Sequence, residues 1–187
     1  MSARDRRIKI EIDDGRRYLD RTDETYDLIT LDPPPPVEAA GSSMLYSKEF
    51  YESAGRKLKP GGILQTWLPG GDAATIIAVT RAIQESFPHV RAFPSVGGWG
   101  FHFMASFTPI SRLTTLQLLE RMPAAAVQDM TEWDAVPPAF YFDVMLGNEI
   151  DMSLPVTEVM SQDGPALTDD RPVNEFFFAR RYLLTHP

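Results

Sequence analysis

The chain of 187 residues contains no cysteine. That excludes disulfides, thiolate metal sites and a cysteine nucleophile, and leaves the compartment undecided. Histidine is scarce: His89, His102 and His186 are the three, and their spacing is not that of metal ligands. His102 falls inside an alternating strand pattern and reads as structural, so no metal is expected. No apolar run approaches the ~18 residues that a membrane helix needs. The start, Met1 to Arg7, is charged and lacks the apolar core of a signal peptide. A cytoplasmic location is expected, with no membrane segment in this chain. Basic residues are in deficit, 18 against 26 acidic, for a net charge of −8. This balance argues against a nucleic-acid partner and suits a cationic small molecule.

What is present is ordinary for a globular domain: 43% hydrophobic and 24% charged residues, in a chain long enough to bury one sizeable core. The organising stretch is Tyr26 to Pro36. Leu28 to Leu31 is a short apolar run with a β-branched pair, and it reads as a strand buried on both faces. It ends in Asp32 and four prolines, which cannot extend a ladder. A carboxylate therefore stands where the chain leaves the sheet, the place where open α/β sheets bind ligands.

Upstream, Ile8-Lys9-Ile10-Glu11-Ile12 alternates with period two and predicts a strand. Asp13-Asp14-Gly15 follows, then a short helix from Arg16. The loop from Pro33 to Tyr46 is long for a crossover, and loops of that length are often functional. Ser47 predicts a helix cap ahead of Phe50, Ala54 and Leu58, and Pro60-Gly61-Gly62 predicts the stop. Ile63 to Leu68 reads as a strand. Asp72 caps a helix with Ile76, Val79, Ile83 and Phe87 on one stripe. Val90 to Phe93 and Phe101 to Phe107 are strands joined by Gly97-Gly98-Trp99-Gly100, too short a connection for anything but an antiparallel pair. Beyond Ser111 come a helix ending at Met122-Pro123 and another opened by Pro137-Pro138, with Phe140, Val144 and Met145 facing inward.

The Asp13-Asp14-Gly15 turn has two readings. Asp-Gly is a favoured turn pair. A carboxylate at a strand end also accepts from an exocyclic amine such as that of adenine, and a glycine lets backbone approach closely. Two acids at neighbouring sheet openings, Asp14 and Asp32, favour a nucleoside site. Trp67 and Trp99 read as core or pocket wall. The Gly-rich turn before Phe101 lacks the strand-to-helix context and lysine of a phosphate loop. Thr168-Asp169-Asp170-Arg171-Pro172 reads as a buried Asp–Arg pair fixing a C-terminal strand, with contact to a ligand as the alternative.

Four blocks in order, Asp14-Gly15-Arg16-Arg17-Tyr18-Leu19, Tyr26 to Pro33, Leu45 to Tyr51 and Leu58-Lys59-Pro60-Gly61-Gly62, resemble the spermidine synthase family. The closing Thr-Asp-Asp-Arg-Pro segment resembles its bacterial spermidine-synthase-like branch. The resemblance covers about residues 8 to 107 and implies a class I methyltransferase fold: an α/β, partial Rossmann-like sheet, mostly parallel with a C-terminal antiparallel hairpin. Residues 108–187 would form an α-rich extension packed on it. It further implies aminopropyl transfer from decarboxylated S-adenosylmethionine to a small amine. Asp14 and Gly15 would hold the adenine end, and Asp32 with Pro33 the sulfonium and amine, with Asp32 catalytic. Tyr46, Gln65 and Trp67 would line the substrate pocket, Thr66 or Trp67 being alternatives to Gln65 for the family glutamine. The Pro33 to Tyr46 loop would gate it.

The chain departs from the family pattern at Pro35, where a second aspartate acts as base, and near Pro94 and Ser95, where a tyrosine is usual. Residues 1 to 7 also supply neither the first two strands nor the Gly-rich cofactor turn. The chain thus reads as starting at the third strand, with an exposed edge or a homodimer expected, as an inactive piece of an active parent. Two other readings stand beside it. One is an S-adenosylmethionine-dependent methyltransferase, since Asp32-Pro33-Pro34 echoes the loop of amino-methyltransferases. The other is a non-catalytic fragment or assembly module.

Overall fold

Short polar side chains start the helices that flank the sheet. In the computed structural model, which describes residues 6–33, 37–95, 98–132, 136–150, 152, 163–175, 179, 182, 183 and 185, Asp14 accepts from the Arg17 amide and opens α1, Gly15–Arg21. Ser47 Oγ accepts from the Phe50 amide and opens α2, Lys48–Arg56. Asp72 Oδ1 accepts from the Thr75 amide at 2.8 Å and opens α3, Ala73–Ser86. Each cap satisfies a helix amide that has no partner within the helix.

Four strands form one sheet: β1, Tyr26–Leu31; β2, Leu58–Leu68; β3, His89–Pro94; and β4, Phe101–Ser106. Their order is β1-β2-β4-β3. β1 and β2 are parallel, and β4 runs against both β2 and β3, so three strands share one direction. The expected α/β sheet with a C-terminal hairpin at one edge is what the chain builds. Alternation sorts β2: Leu64, Thr66 and Leu68 are buried, while Gln65 and Trp67 are half-exposed on the other face. The buried face joins Phe50, Tyr51 and Ala54 of α2 and Ala78, Val79 and Ile83 of α3 in one core. The opposite face stays partly open, and the site lies there.

The strand expected over Ile8 to Ile12 does not form; the segment is unpaired and Ile12 is 98% exposed. Alternation supplies a face but not a ladder: Lys9 and Glu11 line a cavity with Leu28, Ile29 and Thr30 of β1, yet no backbone pairing joins the segment to that edge. β1 is likewise not buried on both faces. It pairs only with β2, and Leu28 is 57% exposed, so the open edge falls on β1 and not on a strand at Ile8. Pro60-Gly61-Gly62 does not separate helix from strand, because β2 starts at Leu58. Between the pairs Tyr26–Leu58 and Leu28–Ile63, β1 advances two residues and β2 five, so the Pro-Gly-Gly unit is absorbed as a bulge.

Past the sheet come α4, Thr115–Arg121, α5, Ala124–Thr131, and α6, Pro138–Gly147. α5 gives no clear apolar stripe and was not expected. On α6, Phe140 and Val144 are exposed at 54% and 43%, contrary to the inward placement read for them. Its sequence, PAFYFDVMLG, is apolar around most of its circumference, so periodicity does not choose a buried side.

Residues 166–175 form a strap across the first three helices. Leu167 is fully buried, its amide donating to Ala78 O at 2.9 Å while its carbonyl accepts from the Lys48 amide at 2.9 Å. Asp169 takes a two-pronged contact from Arg16, at 2.8 and 2.6 Å, and its amide donates to Glu49. The acid–arginine pair expected here therefore exists, but the arginine is Arg16 of α1 and the pair is only partly buried. The strand expected after it falls largely outside the described residues.

Gly100 lies at φ +83°, and a Cβ there would collide with the Leu68 carbonyl; Gly41 has the same φ with open space around it. Gly41→Ala should cost about 1 kcal/mol for the left-handed backbone alone, and Gly100→Ala clearly more, read by urea denaturation. Equal costs would mean the β2–β4 contact tolerates a methyl group. The Arg16 contact holds the Asp169 carboxyl below its usual range, chiefly through the hydrogen bond, with burial opposing. A lowered folded value gives stability that is present above the unfolded value, ~3.9, and lost as pH falls through the folded one. The stability gap between the wild type and Asp169→Asn should accordingly be constant above about pH 5 and shrink below about pH 4. A gap independent of pH would contradict the pairing.

Candidate functional site

Register brings the polar side chains of the open face together. Thr30 of β1 sits across from Gln65 of β2, and Trp67, two residues on, is opposite His102 of β4. Residues two apart on one strand share a face. The four therefore cluster at the end of the sheet where β1 releases Asp32 and β3 releases Ser95. Together they line a cavity of about 440 Å³ that also includes Leu31 and Trp99, within the usual range for small-ligand sites.

The cavity wall is fixed by hydrogen bonds. Trp67 Nε1 donates to Ser95 Oγ and to the Trp99 carbonyl, both at 3.0 Å, which holds the indole against the turn between β3 and β4. That turn is closed by Ser95 N to Gly100 O at 2.9 Å and is a hairpin connection, not a phosphate loop. The His102 ring lies nearly parallel to Trp67, 26° between planes and 6.5 Å between centroids. Thr30 Oγ1 bonds Gln65 Oε1, and Gln65 Nε2 lies 3.2 Å from His102 Nδ1. Burial pushes the His102 pKa below its usual value, with the Asp32 charge opposing.

Of the residues singled out from the sequence, Asp32, Gln65 and Trp67 are brought to one cavity. Tyr46 is not on its lining. It is fully buried behind the wall, where its hydroxyl donates to the Trp67 carbonyl at 3.1 Å. Burial, and secondarily the Asp32 charge, raise its pKa, so it stays a neutral donor. Pro33 is buried. Asp14 and Gly15 do not line this cavity. Asp14 is spent on capping α1, and Gly15 is an ordinary helical residue with open space around it. In this structure the Asp14-Gly15 pair opens α1. Position 35 lies outside the described residues. The sequence reading missed Thr30, Ser95 and His102 as site residues; knowing the β2–β4 register would have exposed His102 as the neighbour of Trp67.

The loop between Asp32 and α2 is held from outside. A 3-10 turn spans Ser42–Leu45. The Glu175 carboxylate, 8% exposed, accepts from the Gly41 amide at 2.9 Å, the Ser43 amide at 3.2 Å and Ser43 Oγ at 2.5 Å. Asn174 Nδ2 donates to Val37 O at 2.5 Å and Ser42 Oγ at 2.8 Å. Among the described residues no group of three or more acidic or histidine side chains could hold a metal ion, and no helix is long and apolar enough to cross a membrane.

Removing the carboxylate leaves three donors without their acceptor. Glu175→Ala should lower stability by about 2–3 kcal/mol and speed proteolytic cleavage within residues 37–46; Glu175→Gln, which keeps one acceptor oxygen, should lose less. Unchanged cleavage in Glu175→Ala would show that the strap does not restrain the loop.

The spermine/spermidine synthase domain profile matches residues 1–105. A polyamine aminopropyltransferase 2 of Hyperthermus butylicus is 26% identical over 174 residues, 89% of this chain and 54% of that protein. A polyamine aminopropyltransferase of Sulfurisphaera tokodaii is 34% identical over 98 residues, covering 50% of this chain and 33% of that one. The chain thus spans about half, or less, of the length of these relatives. A spermidine synthase crystallised with the transition-state analogue AdoDATO superposes with a TM-score of 0.57 at 20% identity, over 84% of this chain and 52% of that one. That likeness shows the shared fold. With a domain match over more than half its residues, the chain belongs to the spermine/spermidine synthase family.

Proposed function

We propose that this chain carries the amine-binding side of an aminopropyltransferase, which passes an aminopropyl group from decarboxylated S-adenosylmethionine to a small amine. The observation that carries the reading is Asp32. It stands at the carboxyl end of β1, on the rim of a cavity walled by Trp67 and Trp99. A carboxylate beside indole faces attracts an alkylammonium ion both by charge and through the ring quadrupole. The family membership and the names of the relatives support the reaction class.

In this reading the amine nitrogen attacks the propyl carbon next to the sulfonium. The amine attacks in its neutral form, the C–S bond breaks with its electron pair staying on sulfur as a neutral thioether, and the new ammonium gives up one proton to solvent water. Asp32 orients the amine and offsets positive charge that is already present in the ground state. Trp67, held by Ser95, fixes the angle of approach, and positioning of this kind supplies much of the rate in bimolecular displacement. The proposal rests on the Asp32 side of the sheet and assigns no nucleoside contact to Asp14.

The test is calorimetry of an alkylamine with the wild type and Asp32→Asn, together with product analysis using decarboxylated S-adenosylmethionine. Asp32→Asn should weaken amine binding about tenfold, equivalent to ~1.4 kcal/mol, and abolish transfer. Equal amine affinity in both proteins would overturn the proposal. A methylated amine formed from S-adenosylmethionine would reassign the chain as a methyltransferase.

A further inference from the structure

The polarity of the side-chain chain on the open face can be read atom by atom. Thr30 Oγ1 meets Gln65 Oε1, and a carboxamide oxygen only accepts, so the threonine hydroxyl is the donor. The amide orientation then places Gln65 Nε2 against His102 Nδ1. With the amide in this orientation its nitrogen donates and Nδ1 accepts. Neutral imidazole carries one proton, and with Nδ1 as acceptor that proton sits on Nε2. Protonating Nδ1 would set two donors against each other, and burial also lowers the pKa of this ring. Among the described residues, no protein group is hydrogen-bonded to Nε2, although His102 lines the cavity with Asp32.

Among the described lining residues the carboxylate is Asp32, and the His102 Nε2–H is a neutral donor with no protein partner. At neutral pH a diamine carries two ammonium groups, each with donors only. One of them can satisfy Asp32, but the other cannot accept from the imidazole. An amine whose far end is a hydroxyl satisfies both. We propose that His102 is a specificity-determining residue that, held by Thr30 and Gln65, selects an amine bearing an oxygen acceptor, an amino alcohol, over an unsubstituted diamine. This rests on the amine-site reading above and refines it. The expectation that His102 is only structural is replaced by a role in recognition.

Two measurements test it. Long-range nitrogen–proton NMR correlations of the wild type report the His102 tautomer directly; Nε2–H is expected, and Nδ1–H would overturn the proposal whatever the ligand. Calorimetry at 0.15 M salt then compares 4-aminobutan-1-ol with 1,4-diaminobutane on the wild type and on His102→Phe, which keeps a ring beside Trp67 and removes the N–H. The substitution should weaken the amino alcohol about fivefold and leave the diamine within about twofold, the effect of one lost hydrogen bond. Equal losses for both ligands, or a larger loss for the diamine, would overturn the specificity role alone. Failure of both amines to bind the wild type would remove the amine-site reading and this refinement with it.

Discussion

A buried carboxylate holds the site loop in place. Glu175 gathers two backbone amides and a hydroxyl from Gly41 and Ser43, and Asn174 adds the Val37 carbonyl. A carboxylate accepting from three donors is among the stronger polar arrangements available to a protein interior. Without it, the connection between Asp32 and α2 would be anchored to the core chiefly by the side chains of Val37 and Tyr46. With it, the 3-10 turn delivers Tyr46 to the core, and the Tyr46 hydroxyl braces the Trp67 carbonyl from behind. The strap thus acts on the cavity through two intermediates, at a distance in sequence of more than one hundred residues.

The sheet divides the labour between its faces. α2 and α3 cover one face and supply the apolar burial that stabilises the domain. The other face carries Thr30, Gln65, Trp67 and His102, and its polar groups pair with one another instead of with a helix. Such a network rigidifies a surface without filling it, because each hydrogen bond removes rotamer freedom while leaving the cavity volume free. The β2–β4 register is the common cause. A shift of one residue would turn Trp67 and His102 away from each other and bring buried Thr66 out into the cavity.

What the sequence made legible was local. Ser47 and Asp72 were readable as caps because capping needs only a short acceptor and an amide three residues on. The β3–β4 hairpin followed from its short connection, and Asp32 from the prolines behind it. Ile8 to Ile12 and Leu28 misled for one reason: apolar pattern records what a strand would bury, and the partner must come from elsewhere. Asp14 was ambiguous because a tight turn and a ligand contact call for the same residues at the same kind of chain turn. His102 was hidden because its role depends on a cross-strand neighbour thirty-five positions away, on an antiparallel pairing that neither strand announces.

The charge of the site follows from these placements and sets it apart from the family pattern it otherwise resembles. That pattern adds a second aspartate where this chain has Pro35. Two carboxylates close together favour a dication, since each ammonium group relieves the repulsion between them. Among the described residues lining the cavity Asp32 is the acid, and the other titratable side chain is the His102 imidazole, whose Nδ1 lies against the Gln65 amide. The proposed preference for an amine with one ammonium group and one oxygen acceptor follows from that pairing of a carboxylate with an imidazole donor.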